Sequence, residues 1–281
     1  MQRAQRKLIS FIGLGTRTAA TLLYGYIREH PEACVPETET KFFSEVKKFA
    51  QGIEWYESHF KTEEGKSLCG ELASDYLTSA PAAALIAKAY PSAKLLAVIE
   101  NPLLCVRVEY VEAVRSGRIT KHTTLANFLH QNPEVLLRAR FGRQLVNYFS
   151  YYSVHDFQVI LAEDARNDQL TAIKNIYEHL GLDAHFVPAS LKHLVPEEED
   201  EKSPGLIKRT FRRLKKLIKT LFKRLAQKIN PPKVVAETAV AIALRIPLSP
   251  ELETYLKDYF RADVKQLSAL LHRDFSVEWG I

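Results

Sequence analysis

The stretch from Lys7 to Pro31, KLISFIGLGTRTAATLLYGYIREHP, constrains the fold more than any other part of the chain. Leu8-Ile9-Ser10-Phe11-Ile12 has the length and composition of a buried strand. Gly13 and Gly15 are expected to end it in a sharp turn with close backbone approach. Thr18 can then cap a helix whose apolar face carries Leu22, Leu23, Tyr26 and Ile27. His30-Pro31 stops that helix, because the residue before a proline is pushed out of the α region. A strand, a glycine turn and a helix N-terminus make a ready anion site, since unpaired amides and the helix dipole face the incoming charge. Neither GxxxxGK[ST] nor GxGxxG occurs, so these residues also fit an ordinary first βα unit of a parallel sheet.

The same pattern recurs downstream. Cys69 to Leu77 reads as a short strand and turn, and Ala82 to Tyr90 as a helix. Lys94 to Ile99 is a second buried strand, after which Pro102 opens a helix at its favoured first position. Pro133 to Tyr152 reads as one helix and Phe157 to Ala162 as a third strand. Asp168 to Leu180 is a helix stopped by Gly181. Strands alternating with helices imply an α/β fold with a parallel sheet, whose ligands sit at the carboxyl ends of the strands. That rule places Gly13 to Thr18, Glu100-Asn101 and Glu163-Asp164 on one edge.

Composition narrows the class. No signal-like run precedes the first strand and no apolar run approaches about 18 residues, so a cytoplasmic protein is expected. Cys34, Cys69 and Cys105 lack C-x-x-C spacing and read as reduced, buried thiols. No Cys/His spacing suggests a metal. The net charge of +6 hides an asymmetry: Pro204 to Asn230 carries ten cations and no acid, so the remainder is net acidic. Within Gly205 to Asn230, Leu, Ile and Phe recur at helical spacing between those cations, after the acidic run Glu197 to Glu201 and before Pro231-Pro232. Such a basic amphipathic helix can lie on an anionic membrane, dock its stripe on the domain, or hold an anionic glycan. Aromatics are too few there for nucleic acid.

Four blocks resemble the sulfotransferases that use 3′-phosphoadenosine 5′-phosphosulfate (PAPS), closest to the heparan sulfate and bacterial branch. FIGLGTRTAATLLYGYIREHP is similar to the family's FIG-x-x-K-x-G-T-T-x-L block, with the lysine at Arg17, the glycine at Ala19 and the threonines at Ala20 and Thr21. Glu39-Thr40-Lys41-Phe42-Phe43 with Gly52-Ile53-Glu54-Trp55-Tyr56 looks like E-x-H-F-F and G-x-x-W-Y. LLAVIENPLLCVRVEY is similar to L-R-N-P-x-x-R-x-x-S-x-Y, and VILAEDARNDQLTAIKNIYEHLGLD to the E-D-L and F-L-G-L stretch. Pro247 to Trp279 resembles the closing helices.

The resemblance implies a P-loop-like parallel sheet flanked by helices over residues 1–195. Residues 196–232 are then an insertion, and 233–281 complete the core. It also implies sulfuryl transfer from PAPS to a hydroxyl or amine, with Glu39 as base and Arg17 steadying the departing phosphate. The donor would lie on Gly13, Gly15, Thr16, Arg17, Thr18, Ala19, Ala20, Thr21, Asn101 and Arg107, with Lys41 toward the acceptor. Acceptors of this branch are glycans, lipids or small molecules, and no metal is needed. The pattern departs at the donor site. The arginine of L-R-N-P is Glu100, its second arginine is Cys105, the 3′-phosphate serine is Val108, and the lysine of G-E-K-S-P-x-Y-L is Leu72. Two function classes therefore stay open: an active sulfotransferase, and a degenerate relative kept as a binding or membrane-surface scaffold.

Overall fold

The computed structural model describes residues 9–15, 17–60, 66–194 and 239–281, with side chains described outside 17–22 and 193–194. The basic segment of residues 205–230 lies outside the described residues. Five strands form one sheet: β1 (Phe11–Gly15), β2 (Ala33–Cys34), β3 (Leu68–Ala73), β4 (Lys94–Ile99) and β5 (Phe157–Leu161). Their order is β2-β3-β1-β4-β5 and every pairing is parallel.

The strand residues alternate between two cores, as a period-2 pattern requires. Ile12, Leu14, Leu95, Ala97 and Ile99 face one cluster, while Phe11, Leu72, Leu96 and Val98 face the other. Helix α1 (Arg17–Glu29) covers the second face with Leu23, Tyr26 and Ile27. Two later helices, α9 (Ala162–Asn167) and α10 (Gln169–Leu180), share it. The one-turn helix α2 (Val46–Phe49) buries no residue. The first face takes α3 (Ile53–Glu57), α4 (Ala82–Ala89) and α5 (Pro102–Arg115). It also takes α6 (Leu125–Gln131), α7 (Glu134–Arg138), α8 (Phe141–Phe149), α11 (Pro250–Leu271) and α12 (Phe275–Trp279). Burial of both faces explains why β1 and β4 are apolar almost throughout.

Three local expectations are corrected. The first strand does not stop at Ile12; β1 runs through Gly13 and ends on Gly15. Gly13 pairs with Leu72, and a Cβ there would overlap the Leu72 side chain. A Cβ on Gly15, at φ 153°, would lie 2.9 Å from the Val98 carbonyl oxygen. Both glycines thus serve the close backbone approach expected of them, here between neighbouring strands. Thr18 lies inside α1, which starts at Arg17, so it is not the cap ahead of it. The single helix over 133–152 is two, broken at Ala139-Arg140. The second has its own tertiary cap: the Gly142 and Arg143 amides each donate to the Asp263 carboxylate of α11 at 2.9 Å. All three cysteines are buried thiols. Cys34 and Cys69 are register partners across β2 and β3, and burial pushes the Cys69 thiol up to about 12.

Candidate functional site

The carboxyl ends of β1, β3, β4 and β5 lie on one edge of the sheet, as parallel pairing dictates. Glu39 comes to this edge on the loop between β2 and α2. Its half-buried carboxylate accepts a 2.9 Å hydrogen bond from Ser74 Oγ, one residue beyond β3. Burial raises the pKa of the Tyr24 phenol on α1, and the Glu39 charge raises it further. That hydroxyl has no hydrogen-bond partner among the described residues.

The loop carrying Glu39 is clamped from beneath. Glu71 of β3 is 0% exposed. It accepts from the Thr40 amide at 3.1 Å, from Thr40 Oγ1 at 2.7 Å and from the Tyr76 hydroxyl. The Phe43 amide in turn donates to Tyr76 Oη at 3.2 Å. Burial raises the Glu71 pKa, and the donors from Tyr76 and Thr40 pull it back. Lys41 sits in the left-handed region at φ 56°. That conformation costs a non-glycine residue about 1–3 kcal/mol and persists only where neighbours enforce it. Lys41 Nζ lies 3.1 Å from Asp75, so its ammonium is already matched by a carboxylate beside Ser74. A small cavity joins this corner to β1, lined by Gly15, Ser74, Asp75, Cys105, Glu109 and Arg138.

At the end of β1, the backbone of α1 begins just past Gly15. Thr16 and the side chains of Arg17, Thr18, Ala19, Ala20 and Thr21 lie outside the described residues. Asn101 caps α5, its Oδ1 accepting from the Leu103 amide at 2.9 Å. Its own amide donates to Glu163 Oε1 at 2.8 Å. Glu100 is 0% exposed and accepts from Arg166 Nη2 at 3.0 Å. Arg107 Nε donates to the Leu103 carbonyl at 3.1 Å. The Arg107 guanidinium lines a separate cavity of about 380 Å³ with Arg245, Glu253 and Lys257. Desolvation lowers its pKa and the Glu253 charge opposes that shift. Val108 is buried in an apolar cluster with Leu104, Val111, Ala239 and Ala243.

The structure thus brings Glu39, Lys41 and Gly15 to one corner, and sets Asn101 and Arg107 apart on the β4 side. Ser74, Glu71, Tyr24 and Arg166 hold or face these residues and were not assigned a role from sequence. Ser74 and Glu71 stand in the block GELASDYL, which was readable as a unit. Arg166 meets Glu100 across 66 residues, a separation with no local sequence signal. Among the described residues no cluster of His, Cys, Asp or Glu could hold a metal ion.

Comparison with known proteins agrees with this architecture. The chain superposes on a sulfotransferase from Alicyclobacillus acidocaldarius with a TM-score of 0.70, 19% identity and full coverage of both chains. It also matches the sulfotransferase domain of the curacin biosynthetic pathway, at a TM-score of 0.51 and 15% identity over 92% of this chain and 98% of that one. In sequence, 95% of the chain is 22% identical to the mouse (Mus musculus) bifunctional heparan sulfate N-deacetylase/N-sulfotransferase 4. The chain spans only 30% of the length of that relative. No protein-family model matches. The fold is that of the sulfotransferases, the family recognised in the four sequence blocks.

Proposed function

We propose that this protein is a sulfotransferase, moving a sulfuryl group from an adenosine phosphosulfate to a hydroxyl or amine acceptor, with Glu39 as general base. The observation that carries this reading is the Glu39 carboxylate, held by Ser74 on a loop pinned to buried Glu71, beside the carboxyl end of β1. In the reaction the acceptor oxygen or nitrogen bonds to sulfur. The sulfur–oxygen bond to the phosphate breaks, and its electron pair leaves on the phosphate oxygen. Glu39 takes the acceptor proton. Arg17, at the first position of α1, is the proposed partner of the charge that grows on the departing phosphate. A phosphosulfate, when bound, supplies the activated sulfuryl group. The relative named for heparan sulfate N-sulfotransferase activity favours an amine of a glycan among the acceptors to try first.

A second reading, a degenerate relative acting as a binding module, is favoured by one observation: the donor-site positions 100 and 108 hold a buried carboxylate and a packed valine. Radiolabelled sulfuryl transfer to a panel of amino sugars, N-deacetylated heparan and phenols separates the two. The enzyme reading expects labelled product, and loss of roughly a hundredfold in turnover for Glu39→Gln with an unchanged circular dichroism spectrum. No labelled product with any acceptor would leave the binding-module reading. For residues 205–230 the proposed partner is an anionic membrane surface, reached by an apolar stripe and ten cations. No described helix is long and apolar enough to cross a membrane.

A further inference from the structure

We infer that the cavity beside Asn101 is an anion site, built for the phosphate or sulfate group of an ester and held by Arg107, Arg245 and Lys257. It does not rest on the sulfotransferase reading, because charge and shape around this cavity carry it. The cavity has a volume of about 380 Å³, which falls within the roughly 300–1,000 Å³ of small-molecule sites. Arg107 comes to it from α5, Arg245 from the stretch ahead of α11, and Lys257 from α11 itself.

These three cations line the cavity against one carboxylate, Glu253. Lys257 Nζ meets that carboxylate at 2.8 Å, which uses one of the three donors of the ammonium. Among the described residues neither arginine makes an ion pair. The bond from Arg107 Nε to the Leu103 carbonyl fixes that side chain and leaves its two terminal nitrogens without a described partner. Half-burial takes water from the Arg107 guanidinium and lowers its pKa, and the Glu253 charge opposes the shift without cancelling it. A cation that is partly desolvated and unpaired is costly until an opposite charge meets it. Arg245 is exposed, so it stands at the rim.

The chemistry selects a tetrahedral oxyanion. A guanidinium fork takes two oxygens of a phosphate or sulfate at once, and an ammonium adds a compact point charge. Glu253 leaves more than one positive charge unmatched, which suits these groups. The starts of two long helices add to the field. Asn101 caps α5, Leu103 stands in its first turn, and Leu248 directly precedes the Ser249 cap of α11. All three line the cavity, so the positive ends of both helix dipoles lie beside it. Two kinds of molecule could bring such a group to this edge: a nucleotide through a phosphate, and a glycan through a sulfate ester.

Trp279 lines the cavity and is one of two tryptophans, so the full chain carrying Trp55→Phe has a single fluorescent reporter there. Inorganic sulfate, titrated at an ionic strength held constant with chloride, is expected to change Trp279 fluorescence saturably. Arg107→Gln and Arg245→Gln should each weaken binding about fivefold or more. Glu253→Gln, which removes the opposing charge, should tighten it. Melting transitions check the folding of each variant, and Arg245→Gln, at an exposed position, carries the test if Arg107→Gln is unstable. Competition then identifies the source. Displacement of sulfate by adenosine 3′,5′-bisphosphate and not by adenosine assigns the group to a nucleotide. Displacement by a sulfated disaccharide and not by its unsulfated form assigns it to a glycan. Either result supports the site. A response that chloride reproduces, affinity unchanged by Arg245→Gln and Arg107→Gln, or displacement by neither ester overturns the inference and leaves the sulfotransferase reading in place.

Discussion

Glu71 is the residue on which the geometry of the corner turns. Its carboxyl is fully buried and its pKa is raised by burial above the ordinary 4.5. The sign of the consequence follows. In the folded chain Glu71 keeps its proton at pH values where the unfolded chain has lost it. The folded state then binds more protons, and stability falls as pH rises from the ordinary carboxylate range through the folded value. Glu71→Gln retains the shape but cannot ionise. Denaturant midpoints measured between about pH 4 and 8 should therefore decline less steeply with pH in Glu71→Gln than in the wild type. An identical slope in both proteins would show that Glu71 does not carry the dependence. At Glu100 the expected effect is on stability itself. Arg166→Ala leaves a carboxylate in the interior without its guanidinium, a loss on the order of 3 kcal/mol, visible as a lowered melting temperature. Glu39 and its neighbours were legible in sequence as a unit because they form a contiguous block. The partners Ser74, Arg166 and Asp263 were not, because each arrives from at least 35 residues away.

Among the elements, β1 shows best what apolar runs reveal and what they hide. Its apolar character identified a buried strand, expected over 8–12 and found over Phe11–Gly15, and the α1, α5 and α10 helices followed from proline and glycine punctuation close to where the structure has them. Close approach could be read at its glycines, but not what they face, because that depends on which strands lie beside β1. Gly13 accommodates Leu72, and Gly70 of β3 lies against the ring and the carbonyl of Phe11. These two sites should respond differently to alanine. At Gly13 the obstacle is the far end of a leucine, which can turn. At Gly70 it includes backbone, which cannot move without parting β1 from β3. Gly70→Ala is expected to cost about 3 kcal/mol and to lower the melting temperature by roughly 6–12 °C. Gly13→Ala should cost clearly less, and equal losses would mean that strand spacing is not what these glycines secure. The break between α7 and α8 likewise depends on something distant, the Asp263 carboxylate at the start of α8.

Across the whole molecule, the sheet and its two apolar faces are built from residues before the basic segment, and α11 and α12 pack onto the first face after it. We propose that residues 196–232 are an insertion that the sheet does not need. Deletion of 205–230 should leave the melting temperature nearly unchanged and abolish co-sedimentation with anionic vesicles. The wild-type interaction should weaken as salt rises, because charges are screened beyond about 8 Å at physiological ionic strength. Aggregation of the deletion variant, or equal binding to neutral vesicles, would end the membrane proposal.

The cap that Asp263 places on α8 also has a meaning in time. Arg143 and Asp263 are 120 residues apart. At roughly 5–20 residues per second, a ribosome takes about 6–24 s to cover that distance. Throughout that interval α8 has emerged without the carboxylate that receives its first amides. Gly142, which has no side chain because the α11 backbone passes against it, lies uncovered. Nascent chains stalled ahead of Asp263 should be cut by added protease near residues 139–143, and chains released after α11 has emerged should resist.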